Sequence, residues 1–440
     1  MLYEVNQDAL RYEMEHLGVY KPSVEIMLGK GKIVPLKLLH VRTPAANIIK
    51  QEMLAAGGDC ATPGTTITCA VPHVDILLLG NRKHYNTLIY KLKQMPYFGI
   101  PSIVEDMERY LAPRPRITLL ADGRILAYDS VRVMGILNVT PDSFYAGSRS
   151  TSVDALLKQA EKMLAEGAAI LDIGGESTRP GSDPVTAEEE QARVLPAVAA
   201  VKKQFPESIL SVDTYRAALA REALAQGADI VNDISALTAD PGMAAVVAEA
   251  KAPVILMHRK GTPKDMQQQC HYKNVVQEVT EYLLDRAGSL QEYGMGADKI
   301  ILDPGIGFAK NDEQNLRLMQ NLNALTVNPY PVLMAASRKS TIGKVLGREE
   351  SLCKHAWDPM RSGRAVSSGA IEVDGGFGPD EKKAGMAATA SIIPLPPEER
   401  LEGSLAVTAA AVYAGASLVR VHDVKEHVRL IRMLEAIRKV

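Results

Sequence analysis

From about residue 130 onward, the chain repeats one pattern. A Gly-Ala pair leads into a short apolar run, and the run ends in polar residues. "GAAILDIGGE" starts at Gly167, "GADIVNDIS" at Gly227, "GADKIILDPG" at Gly296 and "GASLVRVHD" at Gly415. Glycine suits the left-handed turn that ends a helix, and an unbroken apolar run suits a strand buried on both faces of a parallel sheet. Four further runs, "VMGILNVT", "SILSVDT", "APVILMHR" and "YPVLMAASRK", alternate with the first set. Helical periodicity fills most of the gaps: "SVDALLKQAEKMLAEG" puts Val153, Leu156, Leu157, Ala160 and Leu164 on one face. Eight strand–helix units predict an α/β chain folded as a closed (β/α)8 TIM barrel. An open doubly wound sheet is the alternative, disfavoured by the regular units and the lack of GxGxxG.

The spacing also exposes an anomaly. Successive Gly-Ala starts lie 60, 69 and then 119 residues apart. The excess follows the seventh strand, at about residues 348–397, a stretch rich in Gly, Ser and Pro that holds the only tryptophan, Trp357. A connection of that length is expected to be a flexible excursion rather than a packed element.

Residues 1–115 read as a separate α+β module, with 116–440 forming the barrel. "KIVPLKLLHV" reads as a strand, and "TPAANIIKQEMLAAGG" as a helix with Thr43 as N-cap and Pro44 at its first position. "TTITCAVPHVDILLLG" reads as strand and "KHYNTLIYKLKQM" as helix. "RITLLADGRILAY" then predicts a hairpin turning at Asp122-Gly123, placed to plug the bottom of the barrel.

Composition changes this picture little. The formal net charge of −2 gives no overall field for nucleic acid or an anionic membrane. No apolar run reaches membrane-spanning length, and the N-terminus lacks a secretory pattern. Four scattered cysteines form no CxxC pair, so a reducing cytoplasm is expected. No P-loop, HExxH or GxSxG occurs.

The chemistry is expected at the C-terminal ends of the strands. In order these carry Asn138, Asp172 and Glu176, Asp213, Asn232, Met257 and His258, Asp303, Arg338 and Lys339, then Arg420 and His422. One polar tip is explained by a turn; eight converging tips describe a binding mouth. Asp213, Asn232 and Asp303 suit a flat, nitrogen-rich ring, because a carboxylate can accept two parallel N–H bonds. Arg179, Lys339, Arg420 and His422 suit an anion.

Taken together and in order, "MGILNVTPDSF", "DIGGESTRPG", "SVDT", "NDIS", "LMH", "DPGIGF", "SRKS" and "RVHD" resemble dihydropteroate synthase over about residues 130–440. The resemblance implies condensation of 6-hydroxymethyl-7,8-dihydropterin diphosphate with p-aminobenzoate, giving 7,8-dihydropteroate and pyrophosphate. It implies Mg2+ on Asn138 and the diphosphate on Arg179, Arg420 and His422. The pterin is then expected among Asp213, Asn232, Asp303, Met257, Lys339 and Arg420, and aminobenzoate near Thr178, Pro180, Phe308, Lys339 and Ser340. Lys339, Asp213, Asp303 and Arg179 are the residues expected to carry the catalysis. It further implies a homodimer and a target of the sulfonamides. Two features depart from the family. "SFYAGSRS" replaces the common SFSDGG, leaving Ala146 where an acid is usual and Arg149 to serve the diphosphate side, and the insertion interrupts helix 7, which in the family helps form the dimer. The N-terminal module resembles extensions on clostridial-type members. Pterin-binding barrels of corrinoid methyltransferases share the acid and amide set but need no diphosphate site. The pairing of "ESTRPG" with "RVHD" favours the synthase over them, and intact Asn138, Lys339 and His422 count against a non-enzymatic pterin scaffold.

Overall fold

A computed structural model describes the chain apart from residues 1, 4, 113–115, 140–148, 177–184, 263, 350–391 and 440. It opens with helices α1 (Leu10–His16) and α2 (Lys21–Gly31). Then come β1 (Ile33–Arg42), α3 (Thr43–Ala55), β2 (Asp59–Ala61), β3 (His73–Asn81), α4 (Arg82–Leu92) and α5 (Ile100–Leu111). The three strands form an antiparallel sheet in the order β1-β3-β2. Its inner face packs with α3, α4 and α5 around Ile49, Met53, Leu78, Tyr85, Leu88 and Ile100.

Two local expectations shift. Arg42, not Thr43, is the N-cap of α3, and the Thr43 hydroxyl instead donates to the Val71 carbonyl. Only His73–Asn81 of the long apolar stretch before α4 is strand, because a 3-10 turn occupies Gly64–Thr66. Helix α5 went unread, although Ile100, Val104 and Met107 are its buried stripe.

The hairpin β4 (Ile117–Leu119) and β5 (Ile125–Ala127) follows, turning through Gly123 at φ +89°. The barrel then runs β6 (Arg132–Asn138), α6 (Arg149–Glu166), β7 (Ile170–Gly174), α7 (Ala187–Gln204), β8 (Ile209–Asp213) and α8 (Ala217–Ala225). It continues through β9 (Ile230–Asp233), α9 (Met243–Glu249), β10 (Val254–Met257), α10 (Val275–Gln291) and β11 (Ile300–Asp303). Helices α11 (Asp312–Gln320) and α12 (Asn323–Thr326), β12 (Leu333–Met334) and α13 (Ser340–Val345) come next. The two-residue strands β13 (Arg348–Glu349) and β14 (Ile392–Ile393) pair antiparallel, joining the two ends of the insertion. Residues 350–391 lie outside the described residues, and the expectation of a flexible excursion falls there. Helix α14 (Leu401–Tyr413), β15 (Leu418–Val421) and α15 (Val424–Lys439) complete the chain.

Eight parallel strands are ordered β11-β10-β9-β8-β7-β6-β15-β12, and a parallel bridge between Leu302 and Val332 closes the ring. The fold is a (β/α)8 barrel. Gly167, Gly227 and Gly415 take the left-handed conformation expected of them; in the third repeat Gly294 does so, and Gly296 caps a 3-10 turn instead.

Strand periodicity explains what the barrel encloses. Successive side chains point to opposite faces. Leu171, Ile173, Val212, Val231, Leu256 and Leu302 belong to the outer core under the helices. Met134, Ile170, Ile230, Ile255, Ile301, Leu333 and Leu418 point inward, where they pack with Leu120 and Leu126 of the hairpin. The hairpin therefore plugs the barrel bottom. Lys299 Nζ fastens it, donating to the carbonyls of Leu119 (2.6 Å), Leu120 (3.2 Å) and Lys251 (2.9 Å). Burial of Leu120 and Leu126 contributes roughly 1.5–3 kcal/mol each. Among the described residues no helix is long and apolar enough to cross a membrane.

Candidate active site

The residue two places beyond each plugged position faces the same interior, one layer higher. After Ile170, Ile230, Ile255, Ile301 and Leu418 come Asp172, Asn232, Met257, Asp303 and Arg420. Asp213 joins them from β8, where it pairs in register with Asn232. An apolar floor and a polar layer above it thus come from the same strands.

Arg420 is the centre of that layer. Its Nε donates to Asp172 Oδ2 at 2.5 Å and its Nη2 to Asp213 Oδ2 at 2.8 Å. Asn232 Nδ2 also donates to Asp172 Oδ2, at 3.2 Å. Asp172 is fully buried, and its second oxygen, Oδ1, has no hydrogen-bond partner among the described residues. Such an orphan is costly in the absence of a ligand. Two carboxylates share one guanidinium, so one negative charge is left over. Burial is the main reason that the Asp213 carboxyl rises to about 7; Arg420 opposes the rise and Asp172 adds to it. Burial pulls the Arg420 guanidinium down, but Asp172 and Asp213 outweigh it and raise it.

Asp303 and Lys339 form the second half. The Asp303 carboxylate accepts the Gly305 N–H at 2.7 Å, and burial raises it against the pull of Lys339. Lys339 is the N-cap residue of α13. Its ammonium donates to the Ile306 carbonyl and lies 4.6 Å from the centroid of the Phe308 ring, a cation–π contact. Burial lowers it to about 8, with Asp303 resisting. Phe308 is half-buried in this contact. Met257 is buried at the end of β10, and Ser340 is exposed at the start of α13. His422 lies beyond β15, its Nδ1 3.1 Å from Ser337 Oγ. Asn138 is exposed at the end of β6. Thr178, Arg179, Pro180 and Ala146 lie outside the described residues.

Neighbouring polar tips turn away from the mouth. Asp233 faces its own loop and accepts the N–H groups of Ser235 (2.7 Å) and Leu237 (2.8 Å). Arg338, at φ +57°, makes a two-pronged pair with Asp423 at 2.9 and 2.5 Å. Glu176 is held by Arg216 at 2.9 Å and by the Tyr215 hydroxyl at 3.1 Å. His258 is buried against Lys310, a residue that the strand-tip reading missed.

This arrangement interleaves acids and cations, with Arg420 between Asp172 and Asp213 and Lys339 acting on Asp303. The profile of the Pterin binding enzyme family matches residues 134–374. The dihydropteroate synthase of Escherichia coli is 38% identical over 318 residues, covering 72% of this chain and 95% of that protein. This chain belongs to the dihydropteroate synthases. A solved dihydropteroate synthase from Xanthomonas albilineans with 4-aminobenzoic acid superposes with a TM-score of 0.59 at 35% identity, covering 74% of this chain and all of that one. A Helicobacter pylori protein named bifunctional dihydropteroate synthase/dihydropteroate reductase is 31% identical over 436 residues, 98% of each chain. Its match therefore includes the N-terminal module.

Proposed function

We infer that the chain is a dihydropteroate-forming transferase, joining 6-hydroxymethyl-7,8-dihydropterin diphosphate to p-aminobenzoate and releasing pyrophosphate. The observation that carries the assignment of roles is the buried Asp172–Arg420–Asp213 group with an unpartnered acceptor beside Asn232. The amino-pyrimidinone edge of the pterin offers N–H donors to Asp213 and Asp303 and an acceptor to Asn232 and Lys339. Arg420 has two of its three nitrogens on acids, which fixes its plane and turns the remaining one to substrate.

The bond from the pterin methylene carbon to the diphosphate oxygen breaks, and ring nitrogens delocalise the developing positive charge. The neutral aniline nitrogen of aminobenzoate forms the new C–N bond and then loses a proton to solvent. The protein supplies orientation and fixed charge and needs no covalent intermediate. Arg179, Arg420 and His422 take the leaving anion. Phe308, Lys339 and Ser340, with Thr178 and Pro180, take the aminobenzoate, the place where sulfonamides compete.

No group of three His, Cys, Asp or Glu able to hold a metal occurs among the described residues. A magnesium ion held by one amide oxygen and by substrate phosphate fits the donor that Asn138 presents. Bound there, it would neutralise diphosphate charge. The active species is proposed to be a homodimer. Pyrophosphate release by the purified chain is the test: release that requires aminobenzoate and yields dihydropteroate is expected, and pterin binding without turnover would refute the assignment.

A second activity is favoured by the full-length match to the Helicobacter pylori protein. We propose that the chain also reduces dihydropteroate, adding a hydride and a proton across the remaining ring C=N bond. The hydride must come from a bound dihydronicotinamide or reduced flavin. A cleft of about 1470 Å³ between the module and the barrel has Lys37, Tyr110, Tyr272 and Lys273 on its walls, suited to a planar, phosphorylated donor. Dihydropteroate-dependent oxidation of NADPH, with and without added flavin, decides it. No oxidation under either condition would end this reading.

A further inference from the structure

Lys310 is one of the largest fully buried side chains in the protein, at 2% exposure, yet it ends in an amine. Its Nζ lies 2.9 Å from His258 Nδ1, 2.9 Å from the Phe308 carbonyl, 3.0 Å from the Gly305 carbonyl and 3.3 Å from the His258 carbonyl. Three of these acceptors lie at 3.0 Å or less, and none of the four is a carboxylate. Burial pushes the amine well below its ordinary value, with Asp303 opposing. His258 is neutral: burial, then the charges of Lys310 and Lys260, lower it far below its ordinary value. Its Nδ1 and the Lys310 amine share one hydrogen bond, whose donor is set by the imidazole tautomer.

The loop wraps around this amine. Gly305 (φ +68°), Gly307 (φ +85°) and Ala309 (φ +51°) alternate with residues of ordinary conformation. Ala309 is a non-glycine residue in a left-handed conformation, a cost that surrounding contacts must offset. The winding sends carbonyls in two directions. Those of Gly305 and Phe308 turn inward to Lys310, and that of Ile306 turns outward to the Lys339 ammonium. Gly307 lies against the Lys339 stem, where an added Cβ would come 3.2 Å from Cδ. The same loop presents the Gly305 N–H to Asp303 and the Phe308 ring to Lys339.

We propose that Lys310 is a positioning residue for the synthase reaction: its buried amine holds loop 305–309 in the winding that seats Lys339 against Ile306 and Phe308. It also ties the ends of β10 and β11 together through His258. The inference rests on the placing of aminobenzoate beside Phe308 and Lys339 given above.

The test is a Lys310→Met variant of the full chain, with its fold checked by circular dichroism and melting. The KM for aminobenzoate is expected to rise and kcat/KM for it to fall by roughly 100-fold, the scale of an ångström of misplacement. The KM for the pterin diphosphate should rise less, because only Lys339 and Asp303 of its expected contacts touch this loop, whereas Asp213 and Asn232 stand on other strands. A kcat that merely follows the folded fraction, with both KM values unchanged, would overturn the proposal. If Lys310→Met does not fold, Lys310→Gln, whose amide still donates two hydrogen bonds, carries the same comparison. Failure of both to fold would assign Lys310 to the fold and not to the site, and would also overturn it. A Phe308→Ala control separates the two ideas: an unchanged aminobenzoate KM there refutes the placing of aminobenzoate, whatever Lys310 does.

Discussion

The pH dependence of the synthase follows from two groups in the mouth. Asp213 must be ionised to accept pterin N–H bonds, and its carboxyl titrates at about 7 because it is buried beside Asp172. Lys339 must stay charged to hold its seat and meet the pterin, and burial brings it to about 8. The active form loses Asp213 below the first value and Lys339 above the second. With these two values, about 0.6 of the free enzyme is active near pH 7.5, falling to about a tenth at pH 6 and at pH 9. The assay is kcat/KM for the pterin diphosphate across that range at constant ionic strength. Substrate phosphate also titrates near the acidic limb, so binding of the pterin alcohol, which lacks the diphosphate, is measured in parallel. In Asp213→Asn the acidic limb should disappear while activity drops at every pH. Lys339→Arg should push the basic limb above pH 9. An acidic limb that persists unchanged in Asp213→Asn, or a flat profile between pH 6 and 9, would refute the reasoning.

The other expectations are simpler to test. Gly305→Ala would place a Cβ 2.0 Å from the His258 carbonyl at a φ of +68°, so the variant should be inactive and melt well below the parent. Lys339→Ala should lower turnover by roughly 100-fold or more, as expected for removal of a fixed charge at a reacting centre; unchanged turnover would remove Lys339 from the mechanism. Leu120→Ala should cost about 2–5 kcal/mol in denaturant unfolding with catalysis otherwise intact, because it empties the plug and not the mouth. Asp213 binds its proton more tightly folded than unfolded, so its contribution to stability is fully present below about pH 3.8 and is lost as pH rises through about 7. Stability measured for the parent and for Asp213→Asn should diverge across that window.

The barrel was legible because each strand repeats a buried apolar run ending in polar groups, and because glycines mark the helix ends. The plug was legible from one Asp-Gly turn between alternating residues. What the strand tips alone did not resolve was which of two adjacent polar residues faces inward. Counting by twos from the apolar floor settles it: Asn232 faces in and Asp233 out, Met257 in and His258 out. Asp172 was read as a tip and given no role, though the same count places it beside Arg420. Lys310 escaped because a lysine after "GIGFA" reads as surface. Nothing in local pattern says that three carbonyls will close over it; that depends on left-handed residues at 305, 307 and 309 acting together. In the module, α5 had a clear stripe, whereas Thr43 failed as a cap because Val71, far along the chain, accepts its hydroxyl.

The plug has a consequence for how the chain is made. Residues 117–127 leave the ribosome before any strand that they will seal, because a chain emerges N-terminus first. When the barrel strands assemble, the hairpin is already present to cover their inward apolar ends. A barrel begun at β6, without it, would close around an open greasy ring of seven side chains, the kind of surface that draws molecules into aggregates. Any attempt to produce the catalytic barrel by itself should therefore start ahead of Arg116. That residue also belongs with the barrel: its guanidinium donates to the carbonyl of Gly415 at 2.7 Å.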